Sequence, residues 1–275
     1  MTLVASMKCT DGLILAADTE EVIYEPPTLK TTAEKLRVLD TPIISECRVV
    51  AAGAGDVGFI RMVGDFIEDK FSESAVLVHS HKQVEKNIRS AVAEVWQDYA
   101  RYEASLPLQL LILSRCPNDP PRLTVVQRQS VYRGRDIEAI GVGDATFRAL
   151  ADRFIQHGML RTVSANLKTA SVFVVYAFLQ AKLSIPGIGG QTRIVTISDE
   201  GELKYMKSWS VSRIQTFFRE IDGHIRNVVQ IVSQGTNTTD DPIERLIGNI
   251  SKGLLEDYRE LKKDLQRIDE DEMLI

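Results

Sequence analysis

The sequence predicts an α+β protein in which two antiparallel sheets lie between two helix layers, a four-layer α-β-β-α sandwich. The predicted elements run as strands, two helices, strands, two helices and strands, without the regular strand–helix alternation of a parallel sheet. The Asp11-Gly12 pair joins the first two apolar strands in the manner of a tight hairpin. The 275 residues, 44% of them apolar, suffice for one large domain with an appendage.

Each element is predicted from its apolar pattern: apolar runs bounded by turn residues for strands, and helical spacing for helices. The residues Gly53–Gly58 open the first helix, whose apolar positions run from Phe59 to Ile67. The predicted strands are 3–9, 12–18, 35–39, 48–52, 108–113, 123–127, 137–140, 192–197 and 202–207, and the remaining helices are about 83–102, 144–157, 165–183 and 211–222.

Two domains are predicted, residues 1–237 and a charged C-terminal appendage at 238–275. The pair Asp241-Pro242 is typical of a helix start, and the apolar residues that follow lie on one side of an amphipathic helix. We expect this helix to pack on the main body or on a neighbouring subunit, and the acidic end at 269–272 to be solvated.

Composition excludes several classes of function. A net charge of −5 argues against a general nucleic-acid binder and against an anionic membrane partner. The longest apolar segment, Ala170 to Ala181, is shorter than the roughly 20 residues of a membrane span. The N-terminus lacks the pattern of a signal peptide, and three scattered cysteines without a CxxC pair fit a reducing compartment. We therefore expect a cytoplasmic protein.

The start of the chain, Met1-Thr2, could supply a catalytic nucleophile. Thr is small enough for the initiator Met to be removed, and Thr2 would then carry a hydroxyl and a free α-amine. An α-amine has an unperturbed pKa of roughly 7.7–8.0, so it can accept the hydroxyl proton within the same residue near neutral pH. The alternative is that Thr2 is an ordinary first residue of a strand.

The stretch from Thr2 through Asp11-Gly12 to Ala16-Ala17-Asp18-Thr19 resembles the opening of proteasome β-type subunits and their bacterial relatives. Those proteins are N-terminal-nucleophile hydrolases, so the resemblance implies their sandwich fold, with Thr2 as nucleophile. It also implies that Asp18 pairs with a Lys at the start of a short strand. Lys35 fits that position, with Lys30 as the second choice. A cation beside the α-amine would lower the pKa of the amine.

The small-residue turn Gly53–Gly58 resembles the family's oxyanion turn, and this resemblance assigns the stabilising N–H to Gly55. The turn could instead be a tight strand-to-helix connection without a catalytic role. The same six residues also satisfy GxGxxG, which is the pattern of a dinucleotide-binding loop. The preceding antiparallel hairpin and the absence of a following ribose-binding acid argue against that alternative.

Three positions depart from the family. Val142, Ile185 and Ile188 stand where the resemblance, which spans roughly residues 2–210, places polar residues that relay protons. Their loss is compatible with a slow enzyme, an altered substrate or an inactive scaffold. A catalytically silent assembly subunit, like the α-type subunits of the proteasome, is therefore the second hypothesis.

The resemblance predicts a threonine-type amide hydrolase, most simply an endopeptidase acting on peptides or unfolded proteins, without metal or organic cofactor. It also implies a ring-like homo-oligomer, and leaves any activating partner open. The pair His79 and His81 could in principle share a metal ion, but no cysteine or carboxylate cluster supports such a site, and we expect a surface loop there.

Overall fold

The computed structural model describes residues 2–23, 29–39, 47–73, 78–99, 108–156 and 165–233, together with helical residues at 252–253, 255–256, 258–260 and 262–263. By its internal contacts the chain divides into two units, Met1–Met206 and Lys207–Ile275. The predicted boundary after residue 237 stays a prediction, because residues 234–251 lie outside the described part.

The predicted α+β sandwich is confirmed: two five-stranded antiparallel sheets are accompanied by helices. The strands, in chain order, are β1 (Leu3–Cys9), β2 (Gly12–Asp18), β3 (Glu20–Ile23), β4 (Leu29–Thr32), β5 (Leu36–Val38), β6 (Arg48–Gly55), β7 (Leu108–Arg115), β8 (Arg122–Gln127), β9 (Ser130–Arg133), β10 (Ile137–Gly141), β11 (Thr192–Ser198) and β12 (Leu203–Tyr205). The helices are α1 (Val57–Glu73), α2 (His81–Tyr99), α3 (Asp144–Gln156), α4 (Leu167–Ser184) and α5 (Ser208–Ser233).

The first sheet has the order β10-β1-β2-β11-β12 and the second the order β5-β6-β7-β8-β9. A separate ribbon pairs β3 with β4. In the first sheet Val4 lies opposite Ala17, and Asp18 lies opposite Thr192. This register brings the start of β1, the end of β2 and the start of β11 to the same end of the first sheet, where the candidate site lies.

Apolar side chains fill the space between the two sheets and the space under each helix layer. The inner cluster joins residues of both sheets, among them Leu15 and Val195 from the first and Leu111 and Val125 from the second. On the outer face of the second sheet, α1 and α2 cover a further cluster. The first sheet is covered by α3 and α4. The sandwich therefore has a core on each side of the second sheet, as a four-layer arrangement requires.

Most predicted elements are present, and the differences have local causes. The strands β3, β4 and β9 were not predicted, because they are short and lack an alternating apolar pattern; in β9 only Val131 is buried. The strand β6 continues to Gly55, so the predicted helix begins later, at Val57. Helix α5 is longer than predicted, and the start of the predicted C-terminal helix lies outside the described residues.

The unit Lys207–Ile275 contains α5 and the described helical residues near the C-terminus. Within it, Arg213 Nη2 donates to Glu260 Oε2 at 2.7 Å, and the rings of Phe217 and Phe218 meet with centroids 5.5 Å apart. Among the helices of the described residues, none combines the length and the hydropathy that crossing a bilayer requires.

Candidate active site

Asp18 is the centre of the candidate site. It is the last residue of β2 and is fully buried, because the neighbouring strands β1 and β11 flank it in the first sheet. Its Oδ1 accepts a hydrogen bond from the backbone N–H of Leu3 at 2.9 Å, and its Oδ2 accepts from the N–H groups of Glu20 at 3.3 Å and Gly189 at 3.4 Å. One carboxylate thus joins the N-terminal strand to the turn before β11.

Lys35 contacts Asp18, as the resemblance implied. Its Nζ lies 3.2 Å from both carboxylate oxygens, and its side chain is 2% exposed. The ammonium also donates to the Glu20 carbonyl oxygen. Lys35 immediately precedes β5, which pairs with β6, so the second sheet fixes its backbone. Lys30, the second choice, lies in β4, and its side chain is outside the described residues.

Burial and hydrogen bonding act on Asp18 in opposite directions. Burial raises the pKa of this carboxyl above its ordinary value, while the Lys35 ammonium and the N–H groups of Leu3 and Gly189 act to lower it. An ion pair so far removed from water holds its geometry only when further hydrogen bonds satisfy both partners. The backbone donors at Asp18 and the carbonyl acceptor at Lys35 meet that requirement.

Thr2 is 6% exposed and immediately precedes Leu3, whose N–H binds the carboxylate of this pair. The following residue, Leu3, donates to Asp18 and lies opposite Gly141 in the pairing of β1 with β10. Gly141 has φ +87°, and a Cβ there would overlap the Thr2 carbonyl oxygen. A glycine is therefore required at this position, both by the left-handed backbone and by the close approach of Thr2.

The predicted oxyanion residue, Gly55, is the last residue of β6 and has φ +133°. Asp56 follows and caps α1, since its Oδ1 accepts from the Phe59 N–H at 2.8 Å. A Cβ built on Gly141 would lie 3.3 Å from the Ala54 Cβ and would also meet Thr2. The end of β6 therefore approaches Thr2 through Gly141. The catalytic roles of Thr2 and Gly55 stay predictions.

A pocket opens beside Lys35, between β5, β6 and α1. Its lining is mainly apolar or small, with charged residues among it: Glu34, Lys35, Arg37, Leu39, Ala51, Ala52, Gly53, Ile60, Arg61, Gly64, Ile67 and Leu110. Of the charged groups, Arg37 is engaged by Asp65 and Glu68 through its guanidinium. Such a pocket can receive an apolar or mixed side chain next to the buried ion pair.

The three apolar residues that stand in place of the family's polar residues have different environments. Val142 is 49% exposed, whereas Ile188 is 4% exposed and faces Gly143, where a Cβ would lie 2.8 Å from the Ile188 Cδ1. Ile185 caps the C-terminus of α4 by donating its N–H to Ala181 O at 2.8 Å. In this region the polar contact to Asp18 comes from the backbone of Gly189 rather than from a side chain.

The turn that carries Gly189 is held by contacts that the sequence did not reveal. Lys182 Nζ, in the last turn of α4, donates to Gly190 O at 2.8 Å and to Thr192 Oγ1 at 2.7 Å. The Gln191 N–H donates to Thr19 Oγ1 at 2.9 Å. The sequence signal for these contacts was a lysine near the end of a largely apolar helix.

Solved structures that resemble this fold include Anbu proteins. The Anbu Gly-1 mutant from Hyphomicrobium sp. strain MC1 superposes with a TM-score of 0.66 at 15% identity, covering 85% of this chain and 100% of that chain. Anbu from Yersinia bercovieri, described as an ancestral β-subunit, superposes with a TM-score of 0.65 at 15% identity, covering 86% of this chain and 98% of that chain. The Anbu complex of Pseudomonas aeruginosa, described as a helical assembly, superposes with a TM-score of 0.62 at 17% identity, covering 83% of this chain and 95% of that chain. The chain has the Anbu fold.

This result corrects the family resemblance drawn from the sequence. The assignment to a bacterial proteasome β-subunit-like protein is wrong, because the structural neighbours are Anbu proteins, which are distinct from proteasome β subunits. No family model and no curated protein matches the chain. The motif from Thr2 to Asp18 identified the fold but could not separate two groups that share it.

Two alternative sites do not fit the structure. The strand β6, which leads into Gly53–Gly58, is antiparallel to both β5 and β7, whereas a dinucleotide loop follows a parallel strand. The prediction of a surface loop at the two histidines holds for His79, which is exposed. It fails for His81, which begins α2 and is buried. Within the described ranges, His, Cys, Asp and Glu side chains form no group of three that could hold a metal ion.

Proposed function

We propose that the protein is an N-terminal-threonine amide hydrolase, acting as an endopeptidase, with Thr2 as the first residue of the mature chain. The observation that carries this proposal is the double role of Asp18. Its carboxylate binds the Lys35 ammonium and also the backbone N–H adjacent to Thr2. The buried cation and the amino end of the chain are therefore held by one group.

The chemistry follows from this arrangement. With Met1 removed, the α-amine of Thr2 accepts the hydroxyl proton while Oγ attacks the substrate carbonyl carbon. The amine then passes that proton to the leaving nitrogen, and water hydrolyses the acyl-enzyme by the same route. The Lys35 ammonium disfavours protonation of the amine and so lowers its pKa. The Gly55 N–H stabilises the oxyanion, a contribution of about 3 kcal/mol for a preorganised donor.

The pocket beside Lys35 supports a peptide substrate, because it offers a largely apolar recess next to the lysine of the buried ion pair. Its lining includes Leu39, Ile67 and Leu110, which favours an apolar side chain of the substrate. Replacing Gly64 at the pocket wall by a larger residue should raise KM for substrates with large apolar side chains more than for small ones.

The test uses an electrophilic peptide probe that requires both a hydroxyl and a free amine on the same terminal residue. Intact mass first shows whether Met1 is absent from the purified protein. We expect one probe adduct on Thr2, no adduct in Thr2→Ala and a retained adduct in the matched Thr2→Ser variant. A mature chain that still begins with Met1, or labelling that persists in Thr2→Ala, would refute the proposal.

A catalytically silent assembly subunit is the second candidate. It is favoured by the apolar residues Val142, Ile185 and Ile188, which replace the polar residues implied by the proteasome resemblance. In that case the protein would form oligomers of normal size while Thr2 remained unreactive. Probe labelling and oligomer size, measured on the same sample, separate the two candidates.

Self-association is part of both candidates. The neighbour from Pseudomonas aeruginosa is described as a helical assembly, which supports a homo-oligomer here and leaves ring and helix as competing geometries. Light scattering after size exclusion gives the subunit number, and electron microscopy distinguishes a closed ring from an open helix. A cytoplasmic location, expected from the sequence, is tested by fractionation of cells that express the full chain.

A further inference from the structure

Two cysteines meet at the end of the second sheet that is remote from Gly55. Cys47 immediately precedes β6 and Cys116 immediately follows β7. The register of these strands pairs Arg48 with Arg115, so the two cysteines occupy the next opposed position. They form a disulfide with Cα atoms 4.1 Å apart, across a sequence separation of 69 residues. The strand pairing itself therefore holds the two sulfur atoms together.

The pair is fully buried and has a polar neighbour. His81 Nδ1 lies 2.8 Å from Ser114 Oγ and 3.8 Å from Cys116 Sγ, while His81 Nε2 lies 2.9 Å from the Pro120 carbonyl oxygen. A carbonyl oxygen can only accept, so Nε2 carries the hydrogen and Nδ1 of the neutral ring is an acceptor. Ser114 Oγ therefore donates to Nδ1, and the Cys116 sulfur lies 3.8 Å from the same nitrogen.

Both oxidation states therefore suit the same site. A reduced cysteine behaves as a small apolar side chain and packs in the cluster beneath α1 and α2, where both residues lie. The eight-residue strands β6 and β7 are joined by backbone pairing along their whole length, so we expect that pairing to keep the two thiols opposed after reduction. The third cysteine, Cys9, lies in β1 of the other sheet and is free.

We propose that Cys47 and Cys116 form a reversible redox site, a dithiol that exchanges with low-molecular-weight thiols and disulfides of the glutathione type when local opening of this end of the sheet exposes the buried sulfur atoms. In reduction, a thiolate attacks one sulfur of the pair, which gives a mixed disulfide and releases the other cysteine as a thiolate. A second thiolate attacks the small-molecule sulfur of the mixed disulfide. The net reaction converts the protein disulfide and two small thiols into two cysteine thiols and one small disulfide.

The oxidised pair closes a loop that contains β6, α1, α2 and β7. A cross-link over 69 residues restricts the unfolded chain strongly and so stabilises the folded state. In a thiol-rich compartment the reduced form prevails, and oxidising conditions convert the protein to the more stable form. For a unit of this size the thermal midpoint should differ by about 10 °C between the two forms.

The experiment counts thiols on the folded full-length protein. The protein is equilibrated without denaturant in buffers of defined reduced-to-oxidised glutathione ratio. Exchange is then quenched, the protein is denatured and alkylated, and its intact mass is measured by mass spectrometry. We expect one alkylated cysteine, Cys9, at the oxidising end and three at the reducing end, with the change reversed when the ratio is reversed. Circular dichroism should show a folded protein throughout, with the midpoint about 10 °C lower when reduced.

Cys9→Ser is the matched control and should keep both the exchange and the shift in midpoint. Cys116→Ser should melt near the reduced wild-type protein and be insensitive to the glutathione ratio. If Cys116→Ser fails to fold, the wild-type thiol count alone decides. Three alkylated cysteines at every ratio, or reduction that occurs only after unfolding, would overturn the proposal, because the pair would then be absent or a permanent cross-link.

Discussion

Replacing Lys35 by Met tests whether Asp18 is an ionised, buried partner. Met has a similar length and no charge, so the substitution removes the ammonium while filling most of its space. Lys35 Nζ makes two contacts of 3.2 Å with the carboxylate of Asp18, which is fully buried. The variant therefore leaves a carboxylate in the interior without its countercharge.

The expected loss can be estimated from the remaining contacts. Breaking a buried ion pair by removing one partner costs about 3–5 kcal/mol. In Lys35→Met, Asp18 keeps three backbone donors, Leu3 at 2.9 Å, Glu20 at 3.3 Å and Gly189 at 3.4 Å. These donors compensate part of the charge, so we expect a loss of stability at the lower end of that range, about 3 kcal/mol. That loss corresponds to a thermal midpoint about 6–12 °C lower.

Urea unfolding at several pH values measures this loss. Burial raises the pKa of Asp18, and the Lys35 ammonium opposes that effect. Without Lys35 the folded carboxyl therefore holds its proton to a higher pH than the unfolded one, whose pKa is about 3.9. Such a group loses stability as pH rises through the folded pKa. The difference between variant and wild type should be largest at neutral pH and should shrink toward pH 4.

Two comparisons decide the result. Lys8→Met makes the same replacement at an exposed ion pair 3.9 Å long in the same unit, and should cost less than about 1 kcal/mol. The double variant Asp18→Asn/Lys35→Met removes the stranded charge but turns an amide NH2 toward a backbone N–H that now binds the carboxylate, so it should regain less than about 1 kcal/mol over Lys35→Met. A loss below about 1 kcal/mol in Lys35→Met at neutral pH, or a loss that does not shrink toward pH 4, would show that Asp18 does not carry a buried charge.

Three further predictions concern the surroundings of this pair. Gly141→Ala should lose about 2 kcal/mol or more in urea unfolding, because φ is +87° and the new Cβ overlaps the Thr2 carbonyl; an unchanged midpoint would exclude that contact. Lys182→Met should lower the free energy of unfolding by about 1 kcal/mol, because two hydrogen bonds to the turn before β11 are removed. Hydrogen exchange should show faster exchange of the backbone amides in that turn. Burial lowers the pKa of His81, so unfolding free energy should fall as pH drops below about 6.5, by up to about 1.4 kcal/mol per unit, and His81→Gln should remove that slope.

The fold was predictable wherever hydrophobic periodicity was strong. The hairpin of β1 and β2 follows from two apolar runs around Asp11-Gly12, and the structure has the same bounds. Strands whose residues face solvent or a ribbon carry no such pattern. The strand β9, with one buried residue, and the ribbon of β3 and β4 form through pairing with neighbours that sequence spacing does not show.

The candidate site was predictable in its side chains but not in its backbone. The Asp18–Lys35 pair followed from the resemblance and is present. The N–H groups of Leu3 and Gly189 complete the site, and no residue type encodes which backbone donor will point at a carboxylate. The Cys47–Cys116 pair was missed for a related reason, because the two residues meet only once β6 is known to pair with β7.

Asp18 also determines how variants at the site must be interpreted. Because it accepts from Leu3 as well as from Lys35, a change at Lys35 disturbs the ion pair and the support of the N-terminal strand together. Thr2→Ala removes the hydroxyl and leaves those contacts intact, so stability should stay within about 1 kcal/mol of wild type. If Thr2→Ala abolishes probe labelling and peptide cleavage at unchanged stability and oligomer size, Thr2 acts in chemistry. If Thr2→Ala leaves every property unchanged while Lys35→Met destabilises, the ion pair serves only the fold, and the scaffold hypothesis replaces the enzyme.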